Sequence, residues 1–274
     1  SSRFCSSQPR ANRKQRAPAM VGSLEDALAS LAGGTATTLN LRDIYIGAQG
    51  AGELAAALEP NTTVKTLSMP YNGIGGRGAE LLAAALERNA TVTALNLSFN
   101  RIGDQGAERL AAALERNASV AVLHLERNSI GDRGAERFAA AFARNATLAA
   151  LHLERNYIGD QGAERAERLA AALERNACVT ALELGENDIG DQGAERLAAA
   201  LERNATVTAL DLKNNNIRDQ GTERFATVLE RNVTLTSLDL EGNLVRTESA
   251  ERLTAALERN RAGVRVLTVW CSPR

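Results

Sequence analysis

The sequence predicts an α/β solenoid, with a parallel β-sheet on the concave face and α-helices on the convex face. The prediction rests on a repeated unit, of which Thr91–Ala118 is one copy. Apolar residues alternate around Leu95 and Leu97, as they do in a β-strand, whereas Ala107 and Leu110 belong to a helical stripe. Neither half can bury its apolar face alone, so each unit needs neighbouring copies of itself.

The unit recurs along most of the chain with a 28-residue frame. Its copies begin at Thr35, Thr63, Thr91, Ser119, Thr147, Cys178, Thr206 and Thr234. A strand pair, usually two leucines, is followed from the second copy onward by an asparagine: Asn72, Asn100, Asn128, Asn156, Asn187, Asn215 and Asn243. An asparagine amide can bond backbone groups where the chain turns out of a strand, so we expect a structural role for this column. Ile44 replaces the asparagine in the first copy.

The spacing of strands and helices predicts that the stack is curved. Neighbouring parallel strands lie about 4.8 Å apart. Packed helices need about 8–10 Å between their axes. A stack that has strands on one side and helices on the other must therefore bend, with the sheet on the inside.

The signature LxxLxLxxNxL, with valine usually in place of the first leucine, resembles that of leucine-rich repeat proteins. The period and the long helical half are similar to the ribonuclease-inhibitor-like class of that family. The resemblance covers Thr35–Arg261 and includes the repeat domains of nucleotide-binding leucine-rich repeat receptors and of the Ran GTPase-activating protein. It implies a horseshoe with eight repeats in residues 35–261, within a single domain at 21–274.

Two half-units flank the repeats and are predicted to cap the solenoid. Residues 21–34 contain a helix at Ser23–Ala32, which begins at an N-capping serine. Residues 262–274 contain a last strand without its helix, and we expect Trp270 to shield the final sheet edge. Such caps prevent an exposed edge strand from pairing with another chain.

The N-terminal segment, residues 1–20, is polar and basic and lacks the apolar region of a secretory signal. One interpretation is a targeting or nucleic-acid-binding arm. The other is a disordered tail, or upstream sequence before a true start at Met20. Scattered basic residues without an accompanying aromatic pattern favour the disordered tail.

Repeat five is three residues longer than the others, because its helical segment Gly162–Asn176 duplicates the triplet AER. Three residues are slightly less than a helical turn of about 3.6, so the apolar stripe is nearly retained. The insertion is either a convex bulge for a partner or a product of replication slippage. We favour slippage, absorbed by a longer helix or a bulge.

Charge and cysteine usage narrow the functional class. The net charge is −1, which gives no global argument for nucleic-acid binding. Three dispersed cysteines form neither a disulfide framework nor metal-ligand spacing, which favours a reducing compartment. No apolar run approaches the roughly 18–20 residues that span a membrane. We therefore predict a cytoplasmic protein that binds neither nucleic acid nor membrane.

The return loop between helix and strand generates repeated glycosylation-like motifs as a by-product. Their asparagines are Asn61, Asn89, Asn117, Asn145, Asn204 and Asn232. Without a signal peptide these motifs are not expected to meet the modifying enzyme.

Function is expected at the variable columns on the concave face, because side chains alternate across a sheet and the helical half hardly varies. These columns are neutral and aromatic in the N-terminal third, His/Arg/Glu in the middle and acidic in the C-terminal third. We predict the following partner-binding residues: Tyr71, Phe99, His124, Arg127, His152, Arg155, Tyr157, Glu183, Glu186, Asp188, Asp211, Asp239 and Glu241. Aromatic residues and arginines commonly anchor interfaces.

No set of nucleophile, base and orienting group appears on this face, so we predict no enzymatic activity. Asp211 and Asp239 resemble an acid pair, but an open surface lacks the cleft that shifts catalytic pKa values. A metal bound by His124, His152 and Glu183 is an alternative. Duplication of the HLERN segment explains both histidines without one, so we expect neither metal nor cofactor. We expect the histidines to face solvent with a pKa near about 6.5.

These residues predict a non-enzymatic scaffold that binds a protein partner through its concave face, as a monomer. The C-terminal third is acidic with Lys213 as its lone cation, which favours a partner with a basic patch and fast, salt-sensitive association. The partner's other end should be apolar, to meet Tyr71 and Phe99. The competing interpretation is that the acidic residues only maintain solubility. The resemblance also implies a GTPase activator of the Ran GTPase-activating type, or a sensor fragment of an innate-immune nucleotide-binding leucine-rich repeat receptor.

Overall fold

The computed structural model describes residues 22–160 and 163–259, and within them one eight-stranded sheet has its strands in chain order. All neighbouring strands are parallel, with equivalent residues opposite each other, as in Leu67, Leu95 and Leu123. The strands are β1 Thr38–Asn40, β2 Thr66–Ser68, β3 Ala94–Asn96, β4 Val122–His124, β5 Ala150–His152, β6 Ala181–Glu183, β7 Ala209–Asp211 and β8 Ser237–Asp239. This arrangement confirms the predicted α/β solenoid.

A helix precedes the sheet and another follows every strand. Within the described residues these are α1 Leu24–Gly33, α2 Gly47–Leu58, α3 Gly75–Leu86, α4 Gly103–Leu114, α5 Asp132–Phe142, α6 Ala163–Arg175, α7 Asp191–Leu201, α8 Asp219–Leu229 and α9 Thr247–Arg259. Helix α1 is the helix expected near the N-terminus: the Ser23 side chain accepts a hydrogen bond from the Asp26 amide, and Gly34 ends the helix in a left-handed conformation. None of the described helices is long and apolar enough to cross a membrane.

The core lies between the sheet and the helices. Strand residues Leu95 and Leu97 are at most 1% exposed, and Ala107, Leu110 and Leu114 on α4 are at most 2% exposed. The two periodicities of the repeat therefore mark the two sides of one continuous core, as the sequence predicts.

A ladder of buried asparagines occupies the turn position that recurs from one repeat to the next. Asn100 donates from its side chain to the carbonyls of Met69 at 2.8 Å and Leu97 at 2.9 Å. Its Oδ1 accepts the Asn72 amide at 2.9 Å. In the first repeat the Ile44 amide donates to Oδ1 of Asn72 at 3.2 Å, which is the same bond that the Asn72 amide makes to Asn100, so this part of the ladder does not need an asparagine at position 44. These bonds confirm the predicted structural role of the column.

A second asparagine ladder runs through the return loops. Asn117 donates to the carbonyls of Leu86 at 2.8 Å and Asn89 at 3.0 Å, and its Oδ1 accepts the amides of Ser119 at 2.9 Å and Val120 at 2.8 Å. The equivalent asparagines of the glycosylation-like motifs are all buried. The motifs are thus backbone supports, a role that the sequence analysis did not assign to them.

The insertion in repeat five does not disturb the sheet. Ala150 on β5 pairs with Ala181 on β6 in the same register as every other strand pair. Helix α6 has 13 residues, against 12 in α4. Residues 161–162, the N-terminal tail and the predicted terminal strand with Trp270 lie outside the described residues.

Candidate partner-binding surface on the concave face

Two columns of side chains define the concave surface. The strand column lies between the two buried residues of each strand pair and consists of Asn40, Ser68, Asn96, His124, His152, Glu183, Asp211 and Asp239. The left-handed column lies just beyond the strands, where every residue has a φ between 50° and 71°. It consists of Asp43, Tyr71, Phe99, Arg127, Arg155, Glu186, Asn214 and Gly242.

The left-handed column carries side chains at positions that favour glycine. A left-handed conformation costs a non-glycine residue about 1–2 kcal/mol, whereas glycine adopts it readily. Gly242 is the single glycine of the column. Bulky residues such as Phe99 and Arg127 therefore occupy these positions although the left-handed backbone costs conformational free energy. No period in the sequence distinguishes this column, so its strain could not be predicted.

The N-terminal half of this surface contains two stacked aromatic rings with a guanidinium group at each end, here called the Arg–aromatic stack. Tyr71 and Phe99 stack with ring centroids 4.0 Å apart and an interplanar angle of 18°. The guanidinium carbon of Arg42 lies 5.0 Å from the Tyr71 centroid, and that of Arg127 lies 5.2 Å from the Phe99 centroid. Because Arg42 and Arg127 are exposed beside the rings, the patch presents cations together with aromatic groups and is not simply apolar, as its sequence suggests.

An ion pair continues the column beyond the stack. Arg155 Nε lies 2.6 Å from Glu186 Oε2. The hydrogen bond from Arg155 lowers the pKa of Glu186 below its ordinary value, although burial acts in the opposite direction. The negative charge of Glu186 is therefore balanced by Arg155 of the preceding repeat, and Lys213 is not the lone cation beside the acidic third.

The two histidines form a cluster with two glutamates at the centre of the sheet. The rings of His124 and His152 stack with centroids 4.1 Å apart and an interplanar angle of 16°. Nδ1 of His124 lies 3.0 Å from Glu126 Oε1, and Nδ1 of His152 lies 3.8 Å from Glu154 Oε1. The Ser98 hydroxyl also donates to Glu126.

The cluster shifts the pKa values of His152 and Glu126. Interaction with the Glu154 carboxylate raises the pKa of His152, although burial lowers it. The expectation of an unperturbed histidine is therefore wrong for His152, because its side chain is only 23% exposed beside a carboxylate that is 21% exposed. Burial of Glu126 acts to raise its pKa. Hydrogen bonds from His124 and Ser98 act in the opposite direction, and the pKa is lowered below its ordinary value.

The acidic third of the concave face is partly sequestered. Asp211 is 9% exposed, and its Oδ2 lies 2.9 Å from Lys213 Nζ. Burial raises the pKa of Glu183, as does the negative charge of Asp211 on the next rung. Asp239 is half-buried, and Glu241 is exposed. The accessible negative charge is therefore smaller than the sequence alone suggests.

A groove of about 400 Å³ brings part of the predicted site together. Five predicted residues line it: Tyr71, Phe99, Arg127, Arg155 and Glu186. Arg42 and Ser98 also line it but were not singled out from the sequence, although both occupy the position directly after a buried strand pair. Tyr157, 66% exposed, and the exposed Asp188 are not among the residues that line the groove.

The geometry defines a repeat solenoid with an accessible, chemically varied concave face. A leucine-rich repeat model matches residues 61–83, 88–111, 116–139, 144–165, 175–198 and 203–226, just over half of the chain. The chain therefore belongs to the leucine-rich repeat family, and it is of the ribonuclease-inhibitor-like kind. No curated protein sequence matches it significantly.

A solved structure of a leucine-rich repeat protein shows the same fold. The leucine-rich repeat-containing protein LegL7 from Legionella pneumophila is 19% identical, with a TM-score of 0.53, and the match covers 89% of this chain and 86% of LegL7. The actin-binding site 2 of leiomodin-1 is 24% identical with a TM-score of 0.47, over 56% of this chain and 88% of that one. At these identities the likeness to LegL7 describes architecture alone.

Proposed function

We propose that this chain is a non-enzymatic scaffold that binds a partner protein through its concave face. The Arg–aromatic stack is the observation that carries the proposal. Exposed aromatic rings and arginines are the residues that most often anchor interfaces. Here Tyr71, Phe99 and Arg127 also occupy left-handed backbone positions, and such strain concentrates at functional sites.

The charges along the face favour a particular partner. In the N-terminal half Arg42 and Arg127 place a cation at each end of the aromatic rings, with Asp43 and Glu126 as neighbouring anions, whereas Glu183, Asp239 and Glu241 make the C-terminal half anionic. A complementary partner carries acidic groups beside a flat apolar surface at one end and a basic patch at the other. Eight rungs at about 4.8 Å extend over about 34 Å, enough for a standard interface.

The proposal has further parts, which are the lack of catalysis, the lack of nucleic-acid binding, the cytoplasmic location and the monomeric state. Glu183 and Asp211 are adjacent carboxylates, but they line a broad sheet face that does not exclude water, which favours binding over catalysis. The anionic half would repel nucleic-acid phosphates. Dispersed cysteines, including the free Cys178, support a cytoplasmic location. We propose that the chain acts there as a monomer.

Comparative capture tests the proposal. The wild-type chain, Arg127→Glu and Arg116→Glu are immobilised separately, and bound proteins are quantified by mass spectrometry. Arg116→Glu is the control, because it makes the same charge change on the helical side of the solenoid, where the Arg116 side chain is 73% exposed. We expect a bound protein that Arg127→Glu loses by about tenfold or more and Arg116→Glu retains. Equal retention by both variants would rule out the concave face as the binding surface.

A further inference from the structure

The centre of the concave sheet brings metal-ligating side chains together. His124, Glu126 and His152 each offer a donor atom, and these donors all lie within 4.8 Å of one another. We propose that these three residues bind a zinc ion. Glu154 is outside this set of three, although its Oε1 lies 3.8 Å from His152 Nδ1. The proposal does not rest on the partner-binding function, because it is argued from the geometry of these ligands, although Glu126 also lines the groove beside the Arg–aromatic stack.

The parallel register creates the arrangement. His124 and His152 are directly opposite on β4 and β5, and each is followed two residues later by a glutamate on the same face. Ligands lie about 2.0–2.2 Å from zinc, so two ligands of one tetrahedral ion are about 3.4 Å apart. The 3.0 Å between His124 Nδ1 and Glu126 Oε1 already falls near that spacing. The three donor atoms lie within 4.8 Å of one another, so zinc binding requires a rotation of the partly buried His152 side chain.

Glu154 provides the second, independent observation. Its Oε2 is buried and has no hydrogen-bond partner among the described residues. A buried carboxylate oxygen is costly to leave unpaired, so this atom needs a cation or an ordered water. Together with Glu126, Glu154 balances the two positive charges of a zinc ion.

The composition of the cluster selects the class of metal. Imidazole suits zinc and neighbouring transition metals, whereas calcium and magnesium prefer sites made of oxygen ligands. The ligand set also differs from the alternative raised by the sequence. Glu183 faces His152 on the next rung, but it is not part of the cluster, and Glu126 takes its place.

Calorimetric titration of the untagged chain with zinc chloride tests the site. We expect one zinc ion per chain and no heat from calcium chloride. His152→Asn and Glu126→Gln should each weaken zinc binding by about tenfold or more. Glu183→Gln removes a carboxylate from the adjacent rung outside the cluster, and this control should bind zinc as the wild type does.

A second readout keeps the test independent of misfolding. Circular dichroism establishes that each variant is folded, and thermal unfolding is repeated with and without zinc. Zinc should raise the melting temperature of the wild type and of Glu183→Gln, but not that of His152→Asn. Zinc affinity weaker than about 10⁻⁴ M in the wild type, or unchanged affinity in folded His152→Asn, would overturn the proposal.

Discussion

Tyr71 and Phe99 stack face to face with their ring centroids 4.0 Å apart, each held in a left-handed backbone conformation by a different repeat. The 28-residue frame places equivalent residues on neighbouring rungs, and the rung spacing of about 4.8 Å lies within the range of about 4.5–7 Å between the centroids of interacting aromatic rings. A repeated backbone thus builds a continuous surface from residues that are distant in sequence.

The first prediction concerns the energy of that stack. A double-mutant cycle with Tyr71→Ala and Phe99→Ala should give a coupling energy of about 0.5–1.5 kcal/mol in the free energy of unfolding, as for other aromatic pairs. Urea denaturation of the wild type, both single variants and the double variant measures it. Phe99→Ala combined with Tyr157→Ala is the control, and these distant changes should be additive within about 0.5 kcal/mol. A coupling no larger than that of the control would mean that the rings do not interact in solution.

The second prediction concerns the asparagine ladder at the strand ends. Asn100→Ala should lower the free energy of unfolding by about 3 kcal/mol or more, because each backbone group left unpaired costs about 1–3 kcal/mol. Asn40→Ala is the matched control, since Asn40 is half-buried and accepts a single bond, from the Arg42 amide. Chemical denaturation compares the two. Similar losses would show that the ladder does not support the turns.

The third prediction concerns the leucine core. Leu151 is completely buried, and Leu151→Ala should cost about 2–5 kcal/mol through loss of buried surface and formation of a cavity. Leu244→Ala changes a leucine that is 37% exposed and should cost much less. The midpoints of urea unfolding measure the difference. A loss below about 0.5 kcal/mol for Leu151→Ala would contradict the register of the whole sheet.

The fourth prediction follows from the pKa of Glu186. Arg155 lowers this pKa below the ordinary value of 4.5 in the folded state, so the pair stabilises the protein above that value. The stabilisation is lost as pH falls through the lowered folded-state pKa. Arg155→Gln should therefore reduce stability at neutral pH by at most about 1 kcal/mol, since the pair is largely exposed.

The pH series is the check on this fourth prediction. Unfolding free energies of the wild type and Arg155→Gln should differ at neutral pH and converge once Glu186 is protonated in the folded state. Added salt should shrink the difference at neutral pH, because exposed charges are screened. A difference that persists under strongly acidic conditions would show that Arg155 acts through packing and not through its charge.

The fifth prediction separates two aspartates that look equivalent in the sequence. Asp211 is nearly buried against Lys213, whereas Asp239 is half-buried on the next rung. Asp211→Lys should therefore lower stability, because it places two cations together in a largely buried position. Asp239→Lys should leave the fold intact and slow association with the partner. Thermal unfolding and association rates at low and high salt measure the two effects, and equal destabilisation by both changes would contradict this distinction.

The strands and helices could be predicted because every repeat contains the same apolar pattern. The strand pair around Leu95 and the helical stripe through Leu110 gave the solenoid and its register directly. Contacts across repeats were harder to foresee. Asp104 accepts the amides of Gly131 at 2.8 Å and Gly134 at 2.9 Å, so the preceding repeat caps the start of α5. Such a cap is about one repeat away in sequence, beyond the reach of local capping rules.

The candidate site was predictable in outline and not in its electrostatics. The strand column containing His124 follows from the alternation of side chains along each strand. Phe99 has the same parity as the buried Leu95 and Leu97, and it reaches the concave face because the chain turns beyond the strand. The ion pair between Arg155 and Glu186 and the burial of Asp211 depend on side-chain conformations that alternation does not determine. The left-handed backbone was equally hidden, because residues as different as Phe99 and Arg127 share it.

The dissociation constant of the captured partner tests the central claim most directly. It is measured for the wild type, for Arg127→Glu in the Arg–aromatic stack and for Arg116→Glu on the helical side. If the concave face is the binding surface, Arg127→Glu should weaken binding by about 30-fold or more, equivalent to about 2 kcal/mol, while Arg116→Glu stays near the wild-type value. Unchanged affinity in Arg127→Glu together with loss in Arg116→Glu would place the partner on the helical side and contradict the claim.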